Sequence, residues 1–149
     1  MPAYQLAQIN IARLKAPEGD PSNAVFFDNL DRINELAEAS PGFVWRLKDE
    51  SGNATGISAF DDPLVIVNMS VWDSVADLKA FAFNSAHVEI FKRRAEFFEP
   101  MEAPHAVLWW VAAGHYPSLD EAKAKLEHLA NLGPRPGAFT FAKPFDPPI

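Results

Sequence analysis

The chain has 149 residues, a formal net charge of −7 and no cysteine. Its length predicts one domain over residues 1–149 with a hydrophobic core of its own. Without cysteine there are no disulfides, thiolate metal sites or cysteine nucleophiles, and the acidic charge argues against binding to nucleic acid or an anionic membrane. The start of the chain lacks a signal-peptide pattern, and no window holds the roughly 20 apolar residues of a membrane helix. We therefore expect a cytoplasmic protein.

The first half of the chain predicts a strand, a helix and two further strands. Residues 4–12 alternate between apolar and polar side chains, which indicates a strand. Ser22 or Asn23 then caps a helix that ends at the Ser-Pro-Gly sequence of residues 40–42. Residues 43–48 alternate again, and this pattern puts three apolar side chains on one face: Phe43, Trp45 and Leu47. Residues 64–72, LVIVNMSVW, form the clearest strand of the sequence.

The second half predicts two helical stretches, a strand and a last helix. Ser74, with Asp77 three residues on, begins a helix that runs to about Phe83, and a further helix covers residues 86–98. A strand follows at 105–113. A capping box that starts at Ser118 begins a final helix, which ends near Leu132. The tail is rich in proline, so only its Ala-Phe-Thr-Phe sequence is expected to form a short edge strand, while the rest wraps the surface.

This order of elements predicts an α+β fold of the ferredoxin-like type: βαββαβ with an antiparallel sheet and an extra C-terminal helix. Strands 64–72 and 105–113 are apolar on both faces, whereas antiparallel sheets usually leave one face in water. The two crossover helices cover only one face. We therefore predict a homodimer, in which a second copy covers the other face.

The helix at 86–98 carries two polar side chains on its apolar stripe. At about 100° per residue, His87, Phe91, Arg94 and Phe98 share one side, whereas Arg93 lies on the charged side. One interpretation is catalytic: Arg94 holds an anionic or enolate oxygen, His87 transfers a proton, and Phe91 forms an apolar wall of the pocket. The other is structural, with a satisfied histidine and an arginine paired to a carboxylate.

Three residues of strand 64–72 are candidates for the floor of a pocket: Asn68, Ser70 and Trp72. A buried amide must find a hydrogen-bond partner in ligand, water or protein, so the alternative is a polar position near a covered strand end. Trp109 and Trp110 point to opposite faces. We expect Trp45 and Trp110 to line the pocket of a flat aromatic ligand, although core or interface positions are also open to the tryptophans.

The histidines do not predict a metal site. His105 and His115 bracket one strand, and ten residues at about 3.3 Å each hold them too far apart to share an ion. His115 reads as a turn residue. No resident cofactor is expected, with haem bound through His87 alone as the alternative.

Long segments of the chain resemble a bacterial family known only as a domain of unknown function: LAQINIAR, INELAEASPGFVWRL, NMSVWDSVADLKAFAFNSAH, VLWWVAAGHYPSLDEA and GPRPGAFTF. That family resembles the dimeric α+β barrel superfamily, which includes the antibiotic-biosynthesis monooxygenases, and residues 72–87 carry the best local similarity to them. The resemblance implies a homodimer with face-to-face sheets and a pocket between each sheet and its helices. It does not supply a reaction.

Two functions follow as expectations. The first is a small, cofactor-free monooxygenase-like or isomerase-like enzyme that acts on an aromatic or polyketide-like molecule, because an apolar pocket with few polar groups suits such a ligand. The second is a non-catalytic dimeric protein that binds a small hydrophobic ligand, because no strong catalytic motif is present.

Overall fold

The structure is a computed structural model that describes residues 3–17, 19–48, 62, 64–83, 88–89, 92–100 and 104–148. A short 3-10 helix at Pro21–Asn23 leads into the first α-helix. The strands and α-helices are, in chain order, β1 Tyr4–Leu14, α1 Ala24–Ala39, β2 Phe43–Arg46, β3 Val65–Trp72, α2 Val75–Ala82, α3 Arg94–Phe97, β4 Phe98–Glu99, β5 Ala106–Ala112 and α4 Leu119–Leu132.

The strands form one antiparallel sheet with β1 at its centre. β1 pairs with β3 on one side and with β5 on the other, β2 lies outside β3, and the short β4 pairs with the end of β1. The resulting order β5-β1-β3-β2 is that of the ferredoxin-like fold. The predicted α+β class and element order are therefore confirmed.

Capping residues begin the helices where the sequence predicted. Ser74 Oγ accepts the Asp77 N–H at 3.1 Å, and Ser118 Oγ accepts the Glu121 N–H at 3.1 Å. Both bonds satisfy a backbone donor that a first helical turn otherwise leaves open. Asn23 behaves differently, because its amide donates to the carbonyls of Ala16 and Pro17 and so fastens the preceding loop.

One face of the sheet packs against α1, α2 and the C-terminal tail; we call it the helix-side face. Its first row across the strands is Trp110, Leu6, Trp72 and Phe43. Ala37 of α1, Leu78 of α2 and Phe139 of the tail are buried in the same cluster. Phe139 also exchanges two backbone hydrogen bonds with Leu108 at 2.8 Å, so the tail pairs with the sheet edge through an isolated bridge rather than through the predicted short strand.

The opposite face of the sheet, here the second face, is covered by α4 of the same chain. Its side chains from β1, β3 and β5 are buried together with three residues of that helix: Ala122, Leu126 and Leu129. We predicted that a second copy would cover this face, and the structure corrects that prediction, because α4 of the same chain covers it. The sequence predicted the C-terminal helix but did not assign it to either face of the sheet.

Two local predictions need correction. A bulge between Phe43 and Trp45 in β2 puts these side chains on opposite faces of the sheet. The helix predicted over 86–98 is not continuous: a turn at Arg93 precedes α3, which ends at Phe97 because Phe98 pairs with Leu14 as part of β4. In both places sheet pairing overrides the local periodicity.

No helix among the described residues is long and apolar enough to cross a membrane.

Candidate functional site

A connected set of polar side chains runs across the middle of the helix-side face. We call Gln8, Asn10, Asn68 and Ser70 the polar ladder. Gln8 Nε2 donates to Asn68 Oδ1 at 2.7 Å and to Ser70 Oγ at 2.8 Å, and Asn10 Nδ2 donates to Gln8 Oε1 at 3.1 Å. The strand register explains the set, because Gln8 faces Ser70 and Asn10 faces Asn68 across the β1–β3 pair.

The polar ladder is buried at one end and open at the other. Gln8 and Ser70 are only 7% and 6% exposed, whereas Asn10 and Asn68 are exposed. Buried amides are costly unless they are bonded, and the bonds within the ladder meet that need. No described residue accepts a hydrogen bond from Asn68 Nδ2. The open end therefore presents amide donors and acceptors to an incoming molecule.

Trp72 joins the buried end of the ladder to an aromatic cluster. Its Nε1 donates to Ser70 Oγ at 2.8 Å. Its ring stacks on Phe81 at 5.3 Å between centroids and meets the edge of Phe43 at 5.4 Å. The predicted grouping of Asn68, Ser70 and Trp72 on one face is therefore observed, with a polar centre and an aromatic end.

Arg46 places a positive charge beside the ladder. It faces Ser70 across the β2–β3 pair, its side chain is 13% exposed, and its Nη2 lies 3.1 Å from Glu38 Oε1 of α1. An arginine at such a position is held by a carboxylate because an unpaired buried charge is expensive. The sequence analysis assigned this kind of role to Arg94 and overlooked Arg46.

Trp110 lies on the helix-side face and lines a small cleft. The cleft has a volume of about 320 Å³, and its lining comes from the start of α2 and from the tail: Ser74, Val75, Ala76, Trp110, Pro144, Phe145, Asp146 and Pro147. Trp110 Nε1 donates to the Phe145 carbonyl at 2.9 Å, so the indole also anchors the tail.

Trp45 does not share this face. It packs with the second-face cluster and stacks on Tyr116, with 5.2 Å between ring centroids and 4° between ring planes. Trp45 and Trp110 therefore cannot line one pocket, because the bulge in β2 turns Trp45 to the other side. Trp109, as expected, points away from Trp110 and is buried in the second face.

Only part of the helix that carries the predicted catalytic stripe lies within the described residues. His87 and Phe91 lie outside the described residues. Arg94 is the first residue of α3 and is exposed; its role at a ligand stays a prediction. Arg93 is solvated as predicted, and its guanidinium donates to Glu96 at 2.8 and 2.9 Å.

Gln8 and Asn10 are functional candidates that the sequence analysis missed. A signal was present, since the first strand reads Gln-Ile-Asn and alternation puts both amides on one face. Their meeting with Asn68 and Ser70 depends on the β1–β3 register, and the sequence pattern alone does not fix a register between strands so far apart in the chain.

A separate hydrogen-bonded set fastens α4 to the second face. His115 Nε2 lies 2.7 Å from Glu121 Oε1, and Trp109 Nε1 donates to Glu121 Oε2 at 2.9 Å. Burial by itself raises the pKa of Glu121, but the bonds from His115 and Trp109 outweigh it and the net pKa is lowered. His115 lies in the turn after β5, as predicted. Among the described residues no group of three or more His, Asp or Glu side chains is arranged to hold a metal ion.

Several solved structures are similar to this chain in fold. A putative antibiotic biosynthesis monooxygenase from Nitrosomonas europaea has a TM-score of 0.46 at 17% identity and covers 79% of this chain and 96% of its own. SnoaB, a cofactor-independent oxygenase from Streptomyces nogalater, has a TM-score of 0.46 at 14% identity, with 76% and 97% covered. A dabb family protein with a ferredoxin-like fold from Mesorhizobium loti has a TM-score of 0.43 at 13% identity, with 76% and 98% covered.

At these identities the similarity concerns the fold and says nothing about a reaction. No curated protein matches the chain. The expected resemblance to a family without a known function is confirmed. The match to that family runs over residues 5–149, and the chain therefore belongs to the family described as Domain of unknown function (DUF3291).

Proposed function

We propose that the protein binds a flat aromatic molecule with hydroxyl or carbonyl substituents at the open end of the polar ladder. The observation that carries the proposal is the ladder itself, a set of bonded amides that ends in the exposed Asn10 and Asn68. An amide offers both a donor and an acceptor, and so suits phenol and quinone oxygens. The aromatic cluster of Trp72 closes the buried end of the ladder, where Trp72 Nε1 donates to Ser70, and so holds the bonded amides in place.

We further propose that the bound molecule is oxidised by a cofactor-free monooxygenase-like reaction. Without a cofactor the substrate must itself supply the electrons, so an electron-rich phenol is required. In such a reaction one oxygen atom of O₂ enters the ring as a carbonyl, the other leaves as water, and a phenol becomes a quinone. His87 is the proposed proton acceptor for the phenol, and Arg46, beside Ser70 in the sheet, is now a better candidate than Arg94 to stabilise the phenolate.

The direct experiment measures binding and oxygen uptake together. Naphthol and a hydroxynaphthoquinone are titrated into the protein by calorimetry, and oxygen consumption with naphthol is followed under air. The proposal predicts saturable binding, one O₂ consumed for each quinone formed, and loss of turnover but not of binding in His87→Ala. Absence of binding by both probes contradicts it.

A second candidate function is binding without catalysis. It is favoured by the chemistry of the polar ladder, because the side chains of Gln, Asn and Ser do not act as acids or bases near neutral pH. Saturable binding without oxygen uptake would identify this function. Haem bound through His87 is the alternative with a cofactor, and a Soret band in purified protein would reveal it.

A cytoplasmic homodimer also remains a proposal. The cytoplasmic location rests on the sequence pattern, and the homodimer rests on the family resemblance, because the second face, which first suggested a dimer, is covered by α4. Two copies would have to meet on another surface. Light scattering at micromolar concentration tests this, and a monodisperse monomer contradicts it.

A further inference from the structure

A cleft between α1 and the stretch that precedes α3 brings together cations from distant parts of the sequence. It has a volume of about 440 Å³ and six lining residues: Val25, Asn29, Arg32, Glu89, Lys92 and Arg93. We call it the basic cleft. Its volume falls in the range of small-molecule sites, about 300–1,000 Å³. It lies apart from the polar ladder, since the two share no residue.

The charge of this cleft contrasts with that of the molecule. Three cationic side chains face one carboxylate there, whereas the whole chain has a formal charge of −7. Lys92 and Arg93 are neighbours in the sequence, whereas Arg32 lies sixty residues before Lys92 and is brought to them by the fold. An acidic protein that concentrates cations at one concave surface presents a local field that attracts anions.

The donors in the cleft are only partly used. Arg93 donates through Nε and Nη2 to Glu96, and its Nη1 has no hydrogen bond to a described residue. Arg32 and Lys92 form no ion pair with any residue that the structure describes. Glu89, three residues before Lys92, offsets one positive charge at most. The N–H donors therefore outnumber the acceptors around the cleft, which favours an anionic ligand.

The rest of the lining limits the kind of anion. Val25 is 38% exposed and gives the cleft an apolar wall. Asn29 Nδ2 donates to the Val25 carbonyl at 2.8 Å, so the amide oxygen of Asn29 takes no part in that bond. We propose that the basic cleft binds a small organic oxyanion, a carboxylate or phosphate monoester carried on an apolar body.

Titrations with benzoate and phenyl phosphate, observed by amide chemical shifts, test this proposal. Both probes carry the same ring, so their comparison identifies the preferred oxyanion. We expect saturable shifts confined to cleft residues, and binding that weakens with added salt. Arg32→Gln and Lys92→Gln should each weaken binding about tenfold, as expected for loss of a charge-assisted hydrogen bond.

The controls separate this site from overall charge and from the proposed function. Arg135→Gln removes an exposed cation outside the cleft and should leave binding unchanged. Asn68→Leu, which alters the polar ladder, should also leave it unchanged. Absence of saturable shifts with both probes, or equal weakening by Arg135→Gln and Arg32→Gln, would overturn the proposal.

Discussion

Gln8 links most of the polar ladder. Its amide donates to Asn68 and Ser70 and accepts from Asn10, and it is only 7% exposed. Gln8→Leu removes three bonds, one of them to the buried Ser70, so we expect a loss of about 1–3 kcal/mol in the free energy of unfolding.

The matched control is Gln5→Leu in the same strand, since Gln5 forms its side-chain bonds at the surface. Urea unfolding of both variants gives the comparison. Equal losses would show that burial of the ladder contributes nothing.

Substitutions at Arg93, Trp109 and Trp110 give a second prediction at the scale of residues, because these side chains differ in burial. Arg93 is 43% exposed in an i,i+3 pair with Glu96, so Arg93→Ala should change stability by less than about 1 kcal/mol.

Trp109 is 1% exposed and bonded to Glu121, so Trp109→Asp should prevent folding. Trp110→Asp should at least release the tail. Circular dichroism and thermal melts test this. Comparable damage from Arg93→Ala would mean that its exposed position is wrong.

At the scale of elements, the sequence predicted most strands and helices and failed at their edges. Alternation and capping residues identified β1, β3, β5, α2 and α4. The pattern of residues 43–48 could not reveal a bulge, because a bulge depends on the partner strand. The helical period of residues 86–98 likewise could not show that Phe98 pairs with β1.

The contact between α4 and the second face predicts a pH dependence. The folded protein lowers the pKa of Glu121 from an ordinary value of 4.5. A group whose pKa falls on folding stabilises the protein above its unfolded pKa, and this contribution is lost as the pH falls through the folded value. Wild type should therefore exceed Glu121→Gln in stability at neutral pH, and the difference should shrink below about pH 4.5.

Glu127→Gln serves as the control for this pH series, because Glu127 is exposed on the same helix. Its stability should follow wild type at every pH. A constant difference between wild type and Glu121→Gln down to strong acid would contradict the role given to Glu121.

For the whole molecule, α4 decides how the second face is buried. Leu126 is 7% exposed against this face, whereas Leu132, in the last turn of the same helix, is 53% exposed. Leu126→Ala should cost about 2–5 kcal/mol, and Leu132→Ala should change stability by about 0.5 kcal/mol at most. Similar losses in urea unfolding would mean that α4 does not cover the sheet as described.

The candidate site was predictable only in part. The sequence identified Asn68, Ser70 and Trp72 as neighbours because alternate residues of one strand share a face. It could not add Gln8, Asn10 or Arg46, since their position depends on strand register. The periodicity of α4 does not show which surface that helix packs against. The apolar second face was therefore assigned to a dimer contact instead of to α4.

The central claim is that the open end of the polar ladder binds an aromatic ligand, and calorimetric titration of Asn68→Leu with naphthol tests it most directly. Asn68 is exposed but accepts a hydrogen bond from the buried Gln8, so the variant should still fold, with a loss of about 1 kcal/mol in stability. It should bind naphthol at least tenfold more weakly than wild type, because loss of one hydrogen bond to the ligand costs about 1.4 kcal/mol of binding free energy. Asn131→Leu, an exposed change on α4, should bind as wild type does. Equal affinity of Asn68→Leu and wild type would contradict the claim.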